Sequence, residues 1–469
     1  MVFSSLVFLC IFLPVVLVVY NVSKTTTLKN IVLLIASLVF YAWGEPKWIV
    51  VMIITSLVDF VAGRLIDKHK GTKKAKLFLV LSVIITLGVL IVFKYMNFLT
   101  HNLNLLPFVN IKETSIALPI GISFYTFQAM SYVVDVYRGK VEVQKKYYKL
   151  LLYVSMFPQL VAGPIVRYST ISEEIENRKV NMEQLSDGIT RFVAGLAKKV
   201  ILANYLGLLV DSTIGAEMRS LSCLGAWTGL VAYFFQIYFD FSGYSDMAIG
   251  MGKMLGFNFP ENFDYPYTAK SITTFWRKWH ISLSSFFRDY VYIPLGGNRR
   301  FQLRNMFIVW VLTGFWHGAS WNFIIWGFYY FILLSAEKYI FKNKLEKTPK
   351  IIGHIYTIFF VLIGWVFFYF EDLSQISGMF RALFGFGQVG VNTSDFVVLK
   401  NNIVLFAVCI LASLPIGKIA VRIKNKLLDG VGGTIFVSFT SVAYQVALLA
   451  VSISCLVGST YNPFLYFRF

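Results

Sequence analysis

His317 lies in a 29-residue stretch, Met306 to Leu334, that contains no Asp, Glu, Lys or Arg. An ionisable side chain in such a run is costly at membrane depth unless it faces a bundle interior, a watery cavity or a partner, which makes it a candidate functional residue. Imidazole suits proton transfer near neutral pH, so the chemistry it suggests is general acid–base work. The competing reading is a histidine bonded to a neighbouring carbonyl in a helix bundle. The stretch exceeds the roughly 20 residues that cross a bilayer once. Gly314, Gly318, Ser320 and Asn322 therefore predict a break beside the histidine. Irregular backbone at that depth needs protein or a water-filled cavity around it.

A second histidine, His280, sits in TTFWRKWHISLSSFFRDYVYIPLGGNRR, from Thr273 to Arg300. Arg277, Lys278, Arg288 and Asp289 prevent this segment from spanning, and its many aromatics predict an amphipathic helix at the headgroups or across the bundle mouth. Arg277, Lys278 and Arg288 either meet the phosphates of an anionic substrate or snorkel to lipid phosphates. The turn from Pro294 to Asn298 offers backbone amides that could approach a ligand. Asp240 and Asp246, six residues apart in YFDFSGYSDMAIG, need partners if buried, and Arg277 or Lys278 are the partners expected. A structural ion pair is the leading reading for both, ahead of acid–base catalysis. FPQLVAGPIVR, from Phe157 to Arg167, reads as a bent or re-entrant segment lining a cavity.

The elements around these residues are those of an integral membrane protein. The 469-residue chain is 57% hydrophobic and 14% charged, against about 25% charged for a soluble protein. Alternating ten-residue strands are absent, which excludes an outer-membrane barrel. The net charge of +19 resides in short loops between apolar runs, the mark of cytoplasmic loops rather than of nucleic-acid binding. The four cysteines show no metal or disulfide spacing, and no metal site is expected. The N-terminus lacks a basic n-region and a cleavage site, so it reads as a retained first span. Lys24 and Lys29, the loop from Arg64 to Lys76, the loop from Arg138 to Lys149, and Lys418 to Lys426 all mark the inside. Both termini then lie outside. The expected fold is all-α with about ten to twelve spans plus re-entrant segments, in one membrane domain over residues 1–469, with 458–469 as an extracytoplasmic tail. No repeat of 20 to 50 residues is visible, which argues against a repeat-built transporter.

WRKWHISLSSFFRDYVYIPLGGN, followed 37 residues after its histidine by that of GFWHGASWNFIIWG, resembles the membrane-bound O-acyltransferase family. The bacterial cell-envelope branch is the most similar, with its alginate and peptidoglycan O-acetyltransferases and teichoic-acid D-alanyl transferases. MVFSSLVFL, FPQLVAGPIVR and YFDFSGYSDMAIG resemble the same branch. The resemblance implies a ring-like multi-helix domain with a central funnel, His317 as principal catalytic residue and His280 as its supporting partner. It implies acyl transfer from a thioester, with acetyl-CoA as donor and no tightly bound cofactor. Such a donor is already activated, so proton transfer, an oxyanion donor and alignment suffice. Asn322, Ser320 and the Trp321 indole N–H are candidate donors near His317; Asn298 joins them as a candidate substrate contact.

The tail GSTYNPFLYFRF resembles the C-terminal tyrosine motif of that branch, which implies Tyr466 as an acyl acceptor handing its group to an extracytoplasmic partner. On composition alone the leading reading of the tail is an interfacial aromatic anchor. The function expected is transfer of acetyl groups from cytoplasmic acetyl-CoA, across a bacterial cytoplasmic membrane, to a secreted or anchored SGNH-hydrolase-like acetyltransferase serving a cell-envelope polysaccharide. Membrane lipids are the other partners expected, and nucleic acid is not. A D-alanyl or long-chain acyl transferase and a proton-coupled transporter are the alternatives.

Overall fold

A computed structural model of the chain describes residues 1–161, 163–215, 221–342, 344–386, 390–417, 431–459 and 461–465. All the regular structure among them is helical. The principal helices are α1 (Phe8–Val22), α2 (Thr26–Gly44), α3 (Ile49–Lys68), α4 (Lys73–Leu103), α5 (Ile122–Tyr137), α6 (Tyr147–Ser155), α7 (Tyr168–Glu176), α8 (Met182–Ser212) and α9 (Cys223–Met254). They continue as α10 (Ile272–Lys278), α11 (Ile281–Phe287), α12 (Gln302–His317), α13 (Trp321–Phe341), α14 (Lys350–Tyr369), α15 (Leu373–Leu383), α16 (Thr393–Asn401), α17 (Ile403–Ala412) and α18 (Val431–Gly458).

Seven helices among the described residues are long and apolar enough to cross a membrane: α2, α3, α4, α8, α13, α14 and the Phe439–Gly458 part of α18. The pair α16 and α17, bent by 48°, makes an eighth if it is one span. This is an all-helical, multi-pass membrane protein, with seven or eight helices among the described residues that meet the length and apolarity of a full span, where ten to twelve spans plus re-entrant segments were expected. Apolar sequence at α1, α5, α6 and α12 forms shorter helices of nine to sixteen residues, less than the 30 Å hydrocarbon at 1.5 Å per residue. The spans carry their apolar side chains outward as well as inward. On α4, Leu77, Val80, Leu81, Ile84 and Ile85 are exposed, as lipid-facing residues must be. The basic loop at Lys418, Arg422, Lys424 and Lys426 lies outside the described residues.

The chain packs into two compact units, Met1–Phe192 with Tyr244–Pro260, and Val193–Gly243 with Glu261–Phe469. In the first, polar pins hold apolar helices in register. Asp59 on α3 is buried and accepts from Ser82 and, at 3.2 Å, from Thr86 on α4. Buried Arg178 donates to the Tyr20 hydroxyl at 2.8 Å and to Asn30 Oδ1 at 2.6 Å. Met156 ends α6, and Phe157–Leu160 forms a single helical turn, so FPQLVAGPIVR is bent as its prolines predict.

The second unit contains both histidines. α12 ends at His317, extended Gly318 and the following residues form the break, and α13 restarts at Trp321. The two helices pack as a hairpin that only glycine permits: a Cβ on Gly314 would collide with the carbonyl of Phe323, and one on Gly327 with that of Trp310. The expected amphipathic helix after Thr273 is instead two seven-residue helices, α10 and α11, joined at Trp279 and His280. Ser271 caps α10 through the Thr274 N–H at 3.0 Å, and Glu337 accepts the Ile272 and Thr273 N–H groups at 2.6 and 2.8 Å. A carboxylate at a helix N-terminus satisfies donors that have no intrahelical partner.

Candidate active site

Closing α12 with a histidine directs the imidazole into an aromatic shell. His317 is 6% exposed, and its ring centroid lies 5.1 Å from those of Trp326 and Phe368 and 5.0 Å from that of Trp316. His280 is buried too, 5.9 Å from Trp316 and 4.7 Å edge-on to Phe241. Its φ of 45° places it in the left-handed region, uncommon for any residue but glycine. The local bonds that hold this turn converge on Asn262. The Asn262 carbonyl accepts the Ile281 N–H at 2.9 Å, while Oδ1 lies 3.1 Å from His280 Nδ1 and accepts the Ser282 hydroxyl at 2.8 Å and the Ser282 N–H at 3.2 Å. A carboxamide oxygen can only accept, so Nδ1 carries the proton and Nε2 is the ring's basic nitrogen. Burial pushes the His280 imidazole down to about 3, so it is neutral near pH 7.

Two cavities meet at His317. The larger, about 460 Å³, is lined by both histidines together with Arg277, Arg288, Trp276 and Tyr292. It has the size of a small-molecule site. The smaller, about 20 Å³, holds little more than a water and is lined by His317, Asp240, Phe241, Phe368, Phe464 and Leu465, among others. His317 thus faces a cationic chamber on one side and the segment following α18 on the other.

The remaining candidates fall in different places. Arg288 is paired with Asp289 at 2.7 Å and remains largely exposed. Lys278 donates to the Thr268 hydroxyl at 3.0 Å and lines neither cavity. Asn298 accepts from the Tyr292 hydroxyl at 2.6 Å on the surface, and Trp321 is half exposed. Asn322 is fully buried, accepts from Ser320 and donates to the Phe367 carbonyl at 3.1 Å, which ties the α12–α13 break to α14. Tyr466 lies outside the described residues.

The partners expected for the two aspartates are corrected. Asp240 pairs with Lys199 at 2.6 Å, and Asp246 with Arg191 at 2.8 Å, in neither case with Arg277 or Lys278. For Asp240 the reason is helix packing: a Cβ on Gly243 would meet the Gly195 carbonyl, so α8 approaches α9 closely and delivers Lys199 one turn further along. Sequence reasoning also missed Asn262 and Glu337. Both act from outside the motif they support, 18 and 65 residues from His280 and Ile272, so no local spacing marks them.

A family model described as the membrane-bound O-acyltransferase family matches residues 143–374. The probable alginate O-acetylase AlgI of Azotobacter vinelandii is 38% identical over the full length of both chains. The peptidoglycan O-acetyltransferase of Helicobacter pylori is 34% identical, over 83% of this chain and 81% of that one. The teichoic acid D-alanyltransferase of Bacillus subtilis is more distant, 28% identical over 53% of this chain and 68% of its own.

Proposed function

The chain belongs to the membrane-bound O-acyltransferase family and is an O-acyltransferase, and from that premise we propose that it passes acetyl groups from acetyl-CoA to a cell-envelope polysaccharide through an extracytoplasmic partner. The observation that carries this reading is the placement of His317 on two cavities at once. The larger cavity, with Arg277 and Arg288 on its wall, suits a phosphorylated thioester donor. The smaller is walled by Phe464 and Leu465, the residues immediately before Tyr466.

In this mechanism the acceptor hydroxyl attacks the thioester carbonyl carbon while His317 takes its proton. The C–S bond then breaks, and the proton passes to the departing thiolate of coenzyme A. His280, neutral and held by Asn262, lies in the same chamber and orients the donor or His317 without adding charge. Tyr466 is the first acceptor in this scheme. Its phenol ester is more activated than an alkyl ester, so it can transfer the acetyl group onward to a serine of the partner, and from there to the polymer hydroxyl. The reading of the acyl group as acetyl is supported by the full-length similarity to a probable alginate O-acetylase, against partial similarity to a D-alanyltransferase. Entry of the donor from the cytoplasm and an extracytoplasmic tail follow from the bias of basic loops in the sequence.

The test is transfer by purified protein in vesicles with labelled acetyl-CoA. Wild-type protein should release coenzyme A and acetylate its acceptor. His317→Ala should lose about 10²–10⁴-fold of that turnover, the usual share of a general base, with insertion unchanged. Full turnover by a normally inserted His317→Ala would overturn the assignment.

A further inference from the structure

The buried ion pair Lys199–Asp240 does more than neutralise two charges. Both side chains are almost wholly buried, 4% and 3% exposed. Each also binds the main chain of the segment after α18. Lys199 Nζ donates to the Pro463 carbonyl, and Asp240 Oδ2 accepts the Leu465 N–H at 2.8 Å. The same side of α8 meets the residues before them: Asp211 accepts from the Tyr461 hydroxyl at 2.6 Å, Asn204 donates to Asn462 at 3.3 Å, and Gly207 leaves room for the Tyr461 ring. Residues 199, 204, 207 and 211 recur at roughly helical spacing, so one stripe of α8 carries the whole run. The segment therefore descends along α8 until Phe464 and Leu465 close the cavity that holds His317.

We propose that Lys199 and Asp240 form a docking clamp for the main chain of residues 463–465, setting the register in which this segment meets His317. A carbonyl and an N–H two residues apart are read by one cation and one anion, so the recognition is of main chain, independent of side-chain identity. The pair is a positioning device and touches no reacting atom. Its effect on transfer rests on the reading of His317 given above, whereas its effect on segment docking does not.

Three variants test it, one of them double. Lys199→Met with Asp240→Leu replaces the ion pair by apolar groups of similar bulk, a change that buried pairs often tolerate. Leu465→Pro leaves the pair intact and removes the main-chain N–H that Asp240 accepts, whereas Leu465→Ala keeps that N–H and trims the side chain. Docking is read directly as the maleimide labelling rate of Phe464→Cys, introduced where the four native cysteines are replaced by serine. The double variant and Leu465→Pro should each speed labelling about tenfold or more, the loss expected for a hydrogen bond to a charged group. Leu465→Ala should stay within about threefold of the parent. Transfer to the acceptor should fall in the same two variants, with the donor KM unchanged. Equal labelling in Leu465→Pro and Leu465→Ala would overturn the clamp, even if the double variant failed to fold. His317→Ala, labelled in parallel, should remain protected. If it kept full activity, the catalytic reading would fall while faster labelling of Leu465→Pro would still establish the clamp.

Discussion

His317 and His280 differ in how they are held, and that difference sets what each can do. His317 ends a helix and faces two cavities, whereas His280 occupies a left-handed turn tied to Asn262. Asn262→Leu keeps bulk and deletes the carboxamide, so it should lower kcat about tenfold or more with little change in donor KM. An unchanged kcat would show that the turn holds without it. Burial places the His280 pKa near 3, below its usual 6.5, so the ring does not change charge between pH 5 and 8. An acid limb of the rate in that range should therefore persist in the residual activity of His280→Gln. Its disappearance would assign the ionisation to His280. Arg277 and Arg288 face the same chamber. Charge reversal at both should raise the donor KM more than it lowers kcat, and the opposite pattern would assign them to chemistry or folding.

At the scale of elements, the α12–α13 hairpin is what places His317, and its close packing depends on missing side chains. Gly314→Ala would set a methyl against the Phe323 carbonyl, backbone that cannot move aside. The expected cost is about 1–3 kcal/mol, read as a lower melting temperature in detergent together with reduced turnover. Gly88→Ala on α4 is the matched comparison, because nothing lies within 4 Å of its Cβ position. That change should leave melting unchanged or raise it slightly, since alanine is the better helix former. Equal behaviour of the two variants would show that the hairpin has room to spare. Glu337 and Ser271 do for α10 what the glycines do for α12, by satisfying the first N–H groups of a helix too short to hold itself.

For the molecule as a whole, the proposed path runs from a cationic donor chamber, past His317, to a segment delivered by the last helix. Tyr466→Phe keeps the ring and removes only the hydroxyl, so it separates an acyl relay from an aromatic anchor. Acceptor acetylation should be abolished while acetyl-CoA still binds. Wild-type acetylation by this variant would return the segment to the role of an anchor. The seven or eight helices among the described residues that are long and apolar enough to span set the membrane frame of the proposed path, in which a thioester donor and a polymer acceptor would lie on opposite sides.

Composition alone determines that the protein is helical and embedded in lipid, because backbone groups in hydrocarbon must be satisfied within each segment. The isolated His317 and the break at Gly318 were legible because their signals are local, an ionisable group in an apolar run and a glycine at a helix end; the pairing of His317 with His280 was legible only through the family resemblance. The number of full spans was less legible, since an apolar run such as that from Met306 to Leu334 is divided between two helices, of which α13 is long enough to span and α12 is not. Partner choice was not legible at all. Lys199 reaches Asp240, Arg191 reaches Asp246, and Asn262 reaches His280 across separations of 41, 55 and 18 residues. Buried charges accept whichever opposite charge the helix packing brings close. Only the tertiary structure decides that, because the glycines at the contact of α8 with α9 mark a close face on each helix, seven residues apart on both, without naming which helix will pack against it.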